Sequence, residues 1–234
     1  PSSSSTPLRV VFDASCKTDS GKSLNDILYP GPKLQNDIFK ILINFRIHPI
    51  AVIADLRQMY LQIRVNPDHR KFQRILWRFS SKEPLKIYEL NTVTFGVSAS
   101  PFLALRTIQQ LAEDESNLSK ATEVVPRDMY VDDLASSQRN VNEAKELYNE
   151  LVILFKKGGF EIVKWMSNSQ EFLNHIPEPM RLFPEVEVDK DVKVLGVKWM
   201  PKLDEFSFDV KIENESPPFT KRKILSAAAQ IFDP

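Results

Sequence analysis

The sequence of 234 residues contains a single cysteine and no long apolar run. Because Cys16 has no partner for an internal disulfide, its isolation is typical of proteins in a reducing compartment. No stretch of about 18 apolar residues is present, so we expect no membrane-spanning helix. A leader with a basic and then an apolar region is also missing. We therefore expect an intracellular, cytoplasmic protein with no membrane partner.

An excess of one charge is also lacking. Lys and Arg together number 31, as do Asp and Glu, so the formal net charge is zero. Since nucleic-acid-binding domains are usually basic, such a function would need a local basic surface. The three histidines have no companions at zinc-ligand spacing, and no glycine-rich phosphate loop is present. The pattern favours neither a zinc site nor a P-loop nucleotide site.

The composition is that of a globular protein, with 42% hydrophobic and 26% charged residues. The chain starts at Pro1 and ends at Pro234, and we interpret it as part of a longer protein. Apolar periodicity predicts helices at residues 33–45, 98–115, 140–157 and 221–232. It predicts strands at residues 8–13, 50–55, 72–79, 86–91, 160–165, 192–200 and 206–212, and a hairpin from 127–131 and 134–137.

The most informative feature is the run Tyr130-Val131-Asp132-Asp133. Tyr and Val favour extended chain, so the two acids are expected at a hairpin bend. A solvated acidic turn is the ordinary explanation of an Asp-Asp pair. A divalent cation, which would relieve the repulsion between the carboxylates, is the alternative.

A third acid, Asp55, ends the apolar run 50–55. Its ordinary role would be a strand-end turn or a helix cap. If its strand lies beside the hairpin, however, Asp55, Asp132 and Asp133 converge at one edge of a sheet. Carboxylates at such an edge suit two Mg²⁺ ions about 3.5–4 Å apart, the arrangement that promotes phosphoryl transfer.

Three segments resemble, in order and spacing, core motifs of reverse transcriptases. They are residues 55–60 (DLRQMY), 95–101 (FGVSASP) and 130–133 (YVDD). Further segments resemble the BEL/Pao group of LTR retrotransposons. These are residues 9–15 (RVVFDAS), 23–26 (SLND), 72–77 (FQRILW), 158–160 (GGF), 164–168 (KWMSN), 194–199 (VLGVKW), 221–225 (KRKIL) and 231–234 (IFDP).

The resemblance implies an α+β, right-hand polymerase fold, with a small antiparallel palm sheet backed by helices in a ferredoxin-like core. It implies a mobile lead at residues 1–7 and fingers and palm over 8–216. Fingers would span about 8–49 and 66–96, and palm about 50–65 and 97–216. A linker and the start of a truncated thumb would occupy 217–234.

The resemblance implies RNA-directed DNA polymerase activity, in which a deoxynucleotide is added to a primer 3′-hydroxyl. Asp55, Asp132, Asp133 and the backbone carbonyl of Leu56 would hold two Mg²⁺ ions, for which Mn²⁺ can substitute. The partners would be an RNA or DNA template with its primer, dNTPs, and the rest of a Pol polyprotein with thumb, RNase H, protease and integrase. A virus-like particle in the cytoplasm is the expected location.

Several residues would contact the incoming nucleotide, again by resemblance. Backbone N–H groups of Gln58 and Met59 would touch the triphosphate, and Tyr60 would collide with a ribose 2′-hydroxyl, with ordinary core packing as its alternative. The nucleotide would also meet four further residues, namely Arg9 (otherwise a strand-edge cation), Phe95, Gly96 and Lys164 near the leaving pyrophosphate.

A basic strip in the fingers would follow the template backbone: Arg70, Lys71, Arg74 and Arg78 interleave with Phe72, Trp77 and Phe79. Plain solvation of a strand face is the alternative for this strip. Trp199 and Met200 fall in the segment that would grip the primer terminus, with core packing as the alternative.

The sequence departs from the resemblance in a few places. Phe95 stands where retroviral enzymes have Gln, and because related retrotransposons share the Phe we expect altered sugar contacts and no loss of activity. The lysine that would lie upstream of the Arg9 strand falls before Pro1, and the 234 residues include no RNase H segment. A decayed or domesticated relative that only binds nucleic acid is kept as a second hypothesis, against which the three intact acids argue. A plain structural domain with a chance acidic pair is the third.

We expect residues 1–234 alone to extend a primer weakly and distributively, because the thumb that would hold the primer–template is almost absent from them. Primer extension in the presence of a trap for released enzyme measures the product length per binding event. Long products from a single binding event would contradict this expectation.

Overall fold

The computed structural model describes residues 11–185, 188–208 and 220–228, with backbone only for 226–228. Its helices are α1 (Leu24–Ile27), α2 (Ile38–Asn44), α3 (Met59–Gln62), α4 (Pro67–Arg70), α5 (Ser100–Asp114), α6 (Ser119–Asp128), α7 (Val141–Lys157), α8 (Gln170–His175) and α9 (Lys221–Ala228). Its strands are β1 (Ile50–Leu56), β2 (Arg74–Trp77), β3 (Lys86–Glu89), β4 (Met129–Tyr130), β5 (Asp133–Gln138), β6 (Ile162–Ser167), β7 (Val192–Val194), β8 (Val197–Met200) and β9 (Glu205–Ser207).

The central sheet has four strands in the order β4-β5-β1-β6, and all neighbouring strands are antiparallel. With the separate β2–β3 hairpin set aside, the chain runs strand, helices, strand, strand, helix, strand. This is the ferredoxin-like arrangement. The mixture of helices with antiparallel sheets confirms the predicted α+β class.

One face of this sheet packs against the core, and the other face is less buried near the end of β1. Along β1, Val52, Ala54 and Leu56 are buried, whereas Ile53 and Asp55 on the alternate positions are only partly buried. The long helix α7 covers the buried face. Its start is capped by the Asn140 side chain, and it ends before Gly158. Six buried side chains face the sheet from α7: Ala144, Leu147, Tyr148, Leu151, Leu154 and Phe155.

A helix that the sequence did not reveal precedes the hairpin. The predicted strand 127–131 is wrong in its first part, because residues 127 and 128 end α6. The start of α6 is held by a distant acid, Glu150, which accepts hydrogen bonds from the backbone N–H groups of Lys120 (2.8 Å) and Ala121 (3.0 Å). No local sequence signal indicates such a cap.

Other predicted elements exist with different ends. The helix expected over 33–45 begins at Ile38, because Asp37 caps it and Asn36 instead donates to the Pro126 and Met129 carbonyls. Residues 192–200 are two strands, because Leu195 and Gly196 have positive φ and form the turn between β7 and β8.

The predicted strand 8–13 is not a strand in its described part, residues 11–13. The predicted lead at 1–7, Arg9, the linker at 217 and 218, and the ends of two predicted elements (209–212 and 229–232) lie outside the described residues. None of the helices in the described ranges is long and apolar enough to cross a membrane.

A second, three-stranded sheet in the order β7-β8-β9 packs beside α2. Phe45 meets the edge of Trp199 with ring centroids 4.9 Å apart. Asp204 accepts a hydrogen bond from Trp199 Nε1 at 3.2 Å and forms an ion pair with Arg46. Through these contacts, β8 is fixed to the segment that leads into β1.

A fully buried carboxylate, Asp128, joins three elements. It accepts two hydrogen bonds from the Arg127 guanidinium (2.8 Å each), one from Ser136 Oγ (2.6 Å) and one from Asn44 Nδ2 (3.1 Å). Because every buried polar partner is satisfied, this network links α6, β5 and α2 without loss of stability.

Asp128→Ala should lower the free energy of unfolding by about 3 kcal/mol, because it leaves buried donors unpaired. Urea unfolding measures the change. Glu123→Ala is the matched control, since Glu123 binds the same arginine at 2.8 Å from an exposed position and should contribute less than about 1 kcal/mol. Equal effects of the two substitutions would contradict the role of burial.

Candidate active site

Two of the three predicted acids lie side by side. Asp55 on β1 is the register partner of Asp133 on β5 in an antiparallel pair. Directly opposite residues share a face of the sheet, with Cβ atoms about 4.5–5.5 Å apart. Both acids therefore project from the face opposite α7.

The third acid, Asp132, lies in the tight turn that joins β4 to β5. Val131 precedes it with a φ of 57°, a left-handed conformation that is strained for a β-branched residue. The turn is fixed to β1 because the Leu56 N–H donates to the Asp132 carbonyl at 2.9 Å. Strain of this kind, held by surrounding structure, is typical of functional sites.

Lys164 reaches the acids through an irregularity in β6. The register pairs Ile53 with Met166 and Asp55 with Val163, so β6 carries one extra residue between them. Lys164 lies in this bulge with a φ of 57°, and its ammonium group forms an ion pair with Asp55 Oδ2. A bulge redirects a side chain in this way. The expected contact of Lys164 with the leaving pyrophosphate stays a prediction.

The charges around Asp133 are unbalanced. Although Asp133 lies at the exposed start of β5, partial desolvation and the carboxylates of Asp132 and Asp55 raise its pKa to about 7. The Lys164 ammonium opposes this shift. The raised pKa of Asp133 therefore shows that the three carboxylates are close enough to oppose one another's ionisation.

Tyr60 stands next to this cluster. Burial and the Asp132 carboxylate raise the pKa of its hydroxyl. Its ring is stacked on Phe95, with centroids 4.9 Å apart and an interplanar angle of 29°. Gln58, with a φ of 48°, turns the chain out of β1 into the single turn α3, whose first residue Met59 is buried. The first N–H groups of a helical turn have no hydrogen-bond acceptor within that turn. A triphosphate contact at Gln58 and Met59 would require such N–H groups.

The segment that follows Phe95 is fixed by Asn25, a residue that sequence reasoning missed. The Asn25 amide donates to the Gly96 carbonyl at 3.0 Å and accepts from the Ser98 N–H at 2.8 Å. Gly96 has a φ of 96°, and a Cβ there would lie 1.9 Å from the Phe12 carbonyl oxygen. Asn25 belongs to the run 23–26, and the resemblance of that run to the BEL/Pao group was the only sequence signal for it.

The small sheet reaches the acids through the β7–β8 turn. A cavity of about 120 Å³ is lined by Asp55, Asp133 and Lys164 on one side and by Lys193 and Leu195 on the other. Sequence reasoning did not single out Lys193, and Leu195 was noted only as part of the run 194–199, with no role of its own.

The predicted primer-gripping residues lie elsewhere. Trp199 is fully buried against Phe45, so the structure gives its ring the packing role that was the alternative. Met200 is partly buried at the far end of β8. Along β8, Val197 and Trp199 are buried, whereas Lys198 and Met200 are only partly buried. This alternation indicates that Trp199 faces the core.

The predicted basic strip lies on and before the β2–β3 hairpin. Arg70 Nε donates to the Val65 carbonyl at 3.0 Å, and Lys71 lies over the ring of Phe72. Arg74 forms an ion pair with Glu89 on the opposite strand at 2.7 Å, so its charge is largely neutralised. Arg78 is exposed beyond the end of β2. The strip is less positive than the sequence suggested.

Aromatic side chains around the same hairpin are available for stacking. Trp77 and Phe79 are 52% and 77% exposed and meet edge to face. The hairpin therefore presents exposed rings beside the remaining cations.

As for metal ligands, no three His, Cys, Asp or Glu side chains of the described ranges gather closely enough to hold an ion as they stand. Asp55 and Asp133 are paired and Asp132 lies in the adjoining turn, but Asp55 is engaged by Lys164. The Leu56 side chain is buried at the end of β1, with its backbone at the turn.

Comparison with known proteins supports the fold. No protein-family model matches the chain, and no curated protein matches its sequence. The chain is similar to the solved structure of a foamy viral protease–reverse transcriptase in complex with double-stranded DNA, with a TM-score of 0.59 and 16% identity. The match covers 88% of this chain and 31% of that one, so this chain spans about a third of its neighbour. The chain has a reverse-transcriptase-like fold.

The stability of the metal-free protein should fall as pH rises from about 4 to about 7. The folded state holds the Asp133 proton up to about pH 7, whereas the unfolded chain releases it near 3.8, so the folded state binds more protons in this window. Asp133→Asn removes this dependence. In urea unfolding in a chelating buffer, the free energy of unfolding of the variant relative to that of the wild type should be higher at pH 8 than at pH 5. Asp19→Asn, on an exposed loop, is the control, and a pH-independent difference would contradict the shift.

Proposed function

We propose that this chain is the core of an RNA-directed DNA polymerase, which transfers a deoxynucleotide from a dNTP onto a primer 3′-hydroxyl. The observation that carries the proposal is the in-register pair Asp55 and Asp133, with the strained turn at Asp132 beside it. The reverse-transcriptase-like fold supports this reading, because it accounts for the acids at the hairpin and at the end of the central strand.

The donor set fits a hard cation. All three side chains are carboxylates, which Mg²⁺ prefers, and the raised pKa of Asp133 records its desolvation together with the repulsion from Asp132 and Asp55, which a cation would relieve. We propose that Asp55, Asp132, Asp133 and the Leu56 carbonyl hold two Mg²⁺ ions. Such ions supply activation of the primer hydroxyl and neutralisation of the leaving pyrophosphate.

The other residues bind and orient the substrates. Lys164 balances charge on Asp55 in the free protein, and it would balance charge on the leaving pyrophosphate when a nucleotide is bound. The Gln58 and Met59 amides face the triphosphate, and Tyr60 excludes a 2′-hydroxyl. Lys193 of β7 and Leu195 of the β7–β8 turn border the cavity where the primer terminus would lie.

We infer that the nucleic-acid partner is a primed RNA or DNA template, since the foamy viral neighbour is in complex with double-stranded DNA. The exposed rings and cations of the β2–β3 hairpin suit a template strand. We further propose, from the segments that resemble the BEL/Pao group, that the chain belongs to a retrotransposon Pol polyprotein. Its work would then take place in the cytoplasm, within a virus-like particle.

The full-length protein should incorporate dNTPs on a primed RNA template in a Mg²⁺-dependent manner. Asp132→Asn and Asp55→Asn should each lower incorporation by roughly a thousandfold or more, because each removes a charge from the ion-binding cluster. Incorporation of labelled dNTP measures the effect.

Asp114→Asn, at the exposed end of α5, is the matched control and should leave incorporation unchanged. No incorporation by the wild type, or none lost in the two variants, would overturn the catalytic proposal. Retained primer–template binding in that case would favour a relative that only binds nucleic acid.

A further inference from the structure

The stack of Phe95 on Tyr60 joins two segments at the edge of the candidate site. We propose that Phe95 is a positioning residue, which holds the Tyr60 ring in the orientation that rejects a ribonucleotide. This inference rests on the proposed polymerase function and names the residue that sets its sugar specificity. Phe95 then acts through Tyr60 rather than by its own contact with the sugar.

Tyr60 cannot hold this orientation through its own helix. The helix α3 comprises a single turn, and so short a helix has little stability of its own. Met59 anchors one side of the turn in the core, whereas Leu61 on the other side is 47% exposed. The Tyr60 ring, half-buried between them, therefore depends on a packing partner from elsewhere in the chain.

Phe95 is suited to be that partner because its own backbone is firmly held. Its carbonyl accepts a hydrogen bond from the Phe12 N–H at 2.8 Å. The next residues are bound by Asn25 at 3.0 Å and 2.8 Å, and Gly96 has no room to shift toward the Phe12 carbonyl. A ring on such a fixed segment can orient a less constrained one.

The chemistry of Phe95 points the same way. A phenyl ring has no hydrogen-bond donor or acceptor, so its contribution is shape and stacking. The observed geometry, with centroids 4.9 Å apart and planes at 29°, is an offset stack. Tyr60 is also near enough to Asp132 for the carboxylate to perturb its hydroxyl. The ring therefore stacks on Phe95 and lies near the acids, where the sugar of a bound nucleotide would lie.

The test compares kcat/KM for a dNTP and for the matching NTP on a primed RNA template, with full-length protein and Mg²⁺. Phe95→Leu keeps an apolar side chain but removes the stack, so the preference for dNTP should fall by about two- to twelvefold. The readout is the ratio of the two kcat/KM values, which should fall because NTP incorporation gains relative to dNTP incorporation. Phe95→Met is a second variant of similar volume, and Phe95→Tyr keeps the ring and should keep the preference.

Two further variants separate positioning from general damage. Tyr60→Ala should lose more of the preference than Phe95→Leu, and the double variant should match Tyr60→Ala, since Phe95 acts through Tyr60. Phe39→Leu, at an exposed aromatic on α2, should leave the preference unchanged. A structural defect would lower incorporation of both nucleotides together and leave their ratio intact.

The outcomes distinguish this inference from the function on which it rests. If the wild type incorporates no dNTP, the proposed function fails and the inference falls with it. If the wild type is active and Tyr60→Ala loses the preference while Phe95→Leu and Phe95→Met retain it, the inference alone is overturned. A lost preference in Phe95→Tyr would also overturn it, because the stack would remain.

Discussion

The juxtaposition of like charges on two central strands is the constraint on which the rest of this structure depends. Asp55 and Asp133 can be neighbours only because β1 and β5 pair in one register, and a shift by one residue would turn either acid toward the core. The apolar residues of β1 secure that register, since Val52, Ala54 and Leu56 must face α7. Packing on one face thus fixes chemistry on the other.

Two local distortions serve the same charge cluster. The bulge at Lys164 delivers a cation to Asp55, and the positive φ of Val131 makes the turn that carries Asp132. Each is unfavourable in isolation, and each is held by long-range contacts, such as the hydrogen bond from Leu56 to the Asp132 carbonyl. The distortions are therefore signs that the site, rather than the fold, sets the local backbone.

Much of this could be predicted from sequence because it is periodic or local. The alternation along β1, the Asn140 cap of α7 and the turn at Asp132 all have short-range signals. What could not be predicted depends on distant partners: Glu150 at the start of α6, Asn25 beside Gly96, and Lys193 opposite Asp133. Trp199 is a different case, because the alternation of β8 already indicated burial and the family resemblance suggested a surface role.

The hydrogen bonds of Asn25 join segments that are far apart in the sequence, which affects how the chain folds. Its contacts to Gly96 and Ser98 span 71 and 73 residues, and the ion pair of Lys164 with Asp55 spans 109. Loops of this length must close before such contacts stabilise anything, so a topology of high contact order folds slowly. During synthesis, Asp55 can pair with Asp133 only after β5 has emerged, and Lys164 can reach Asp55 only after β6 has followed.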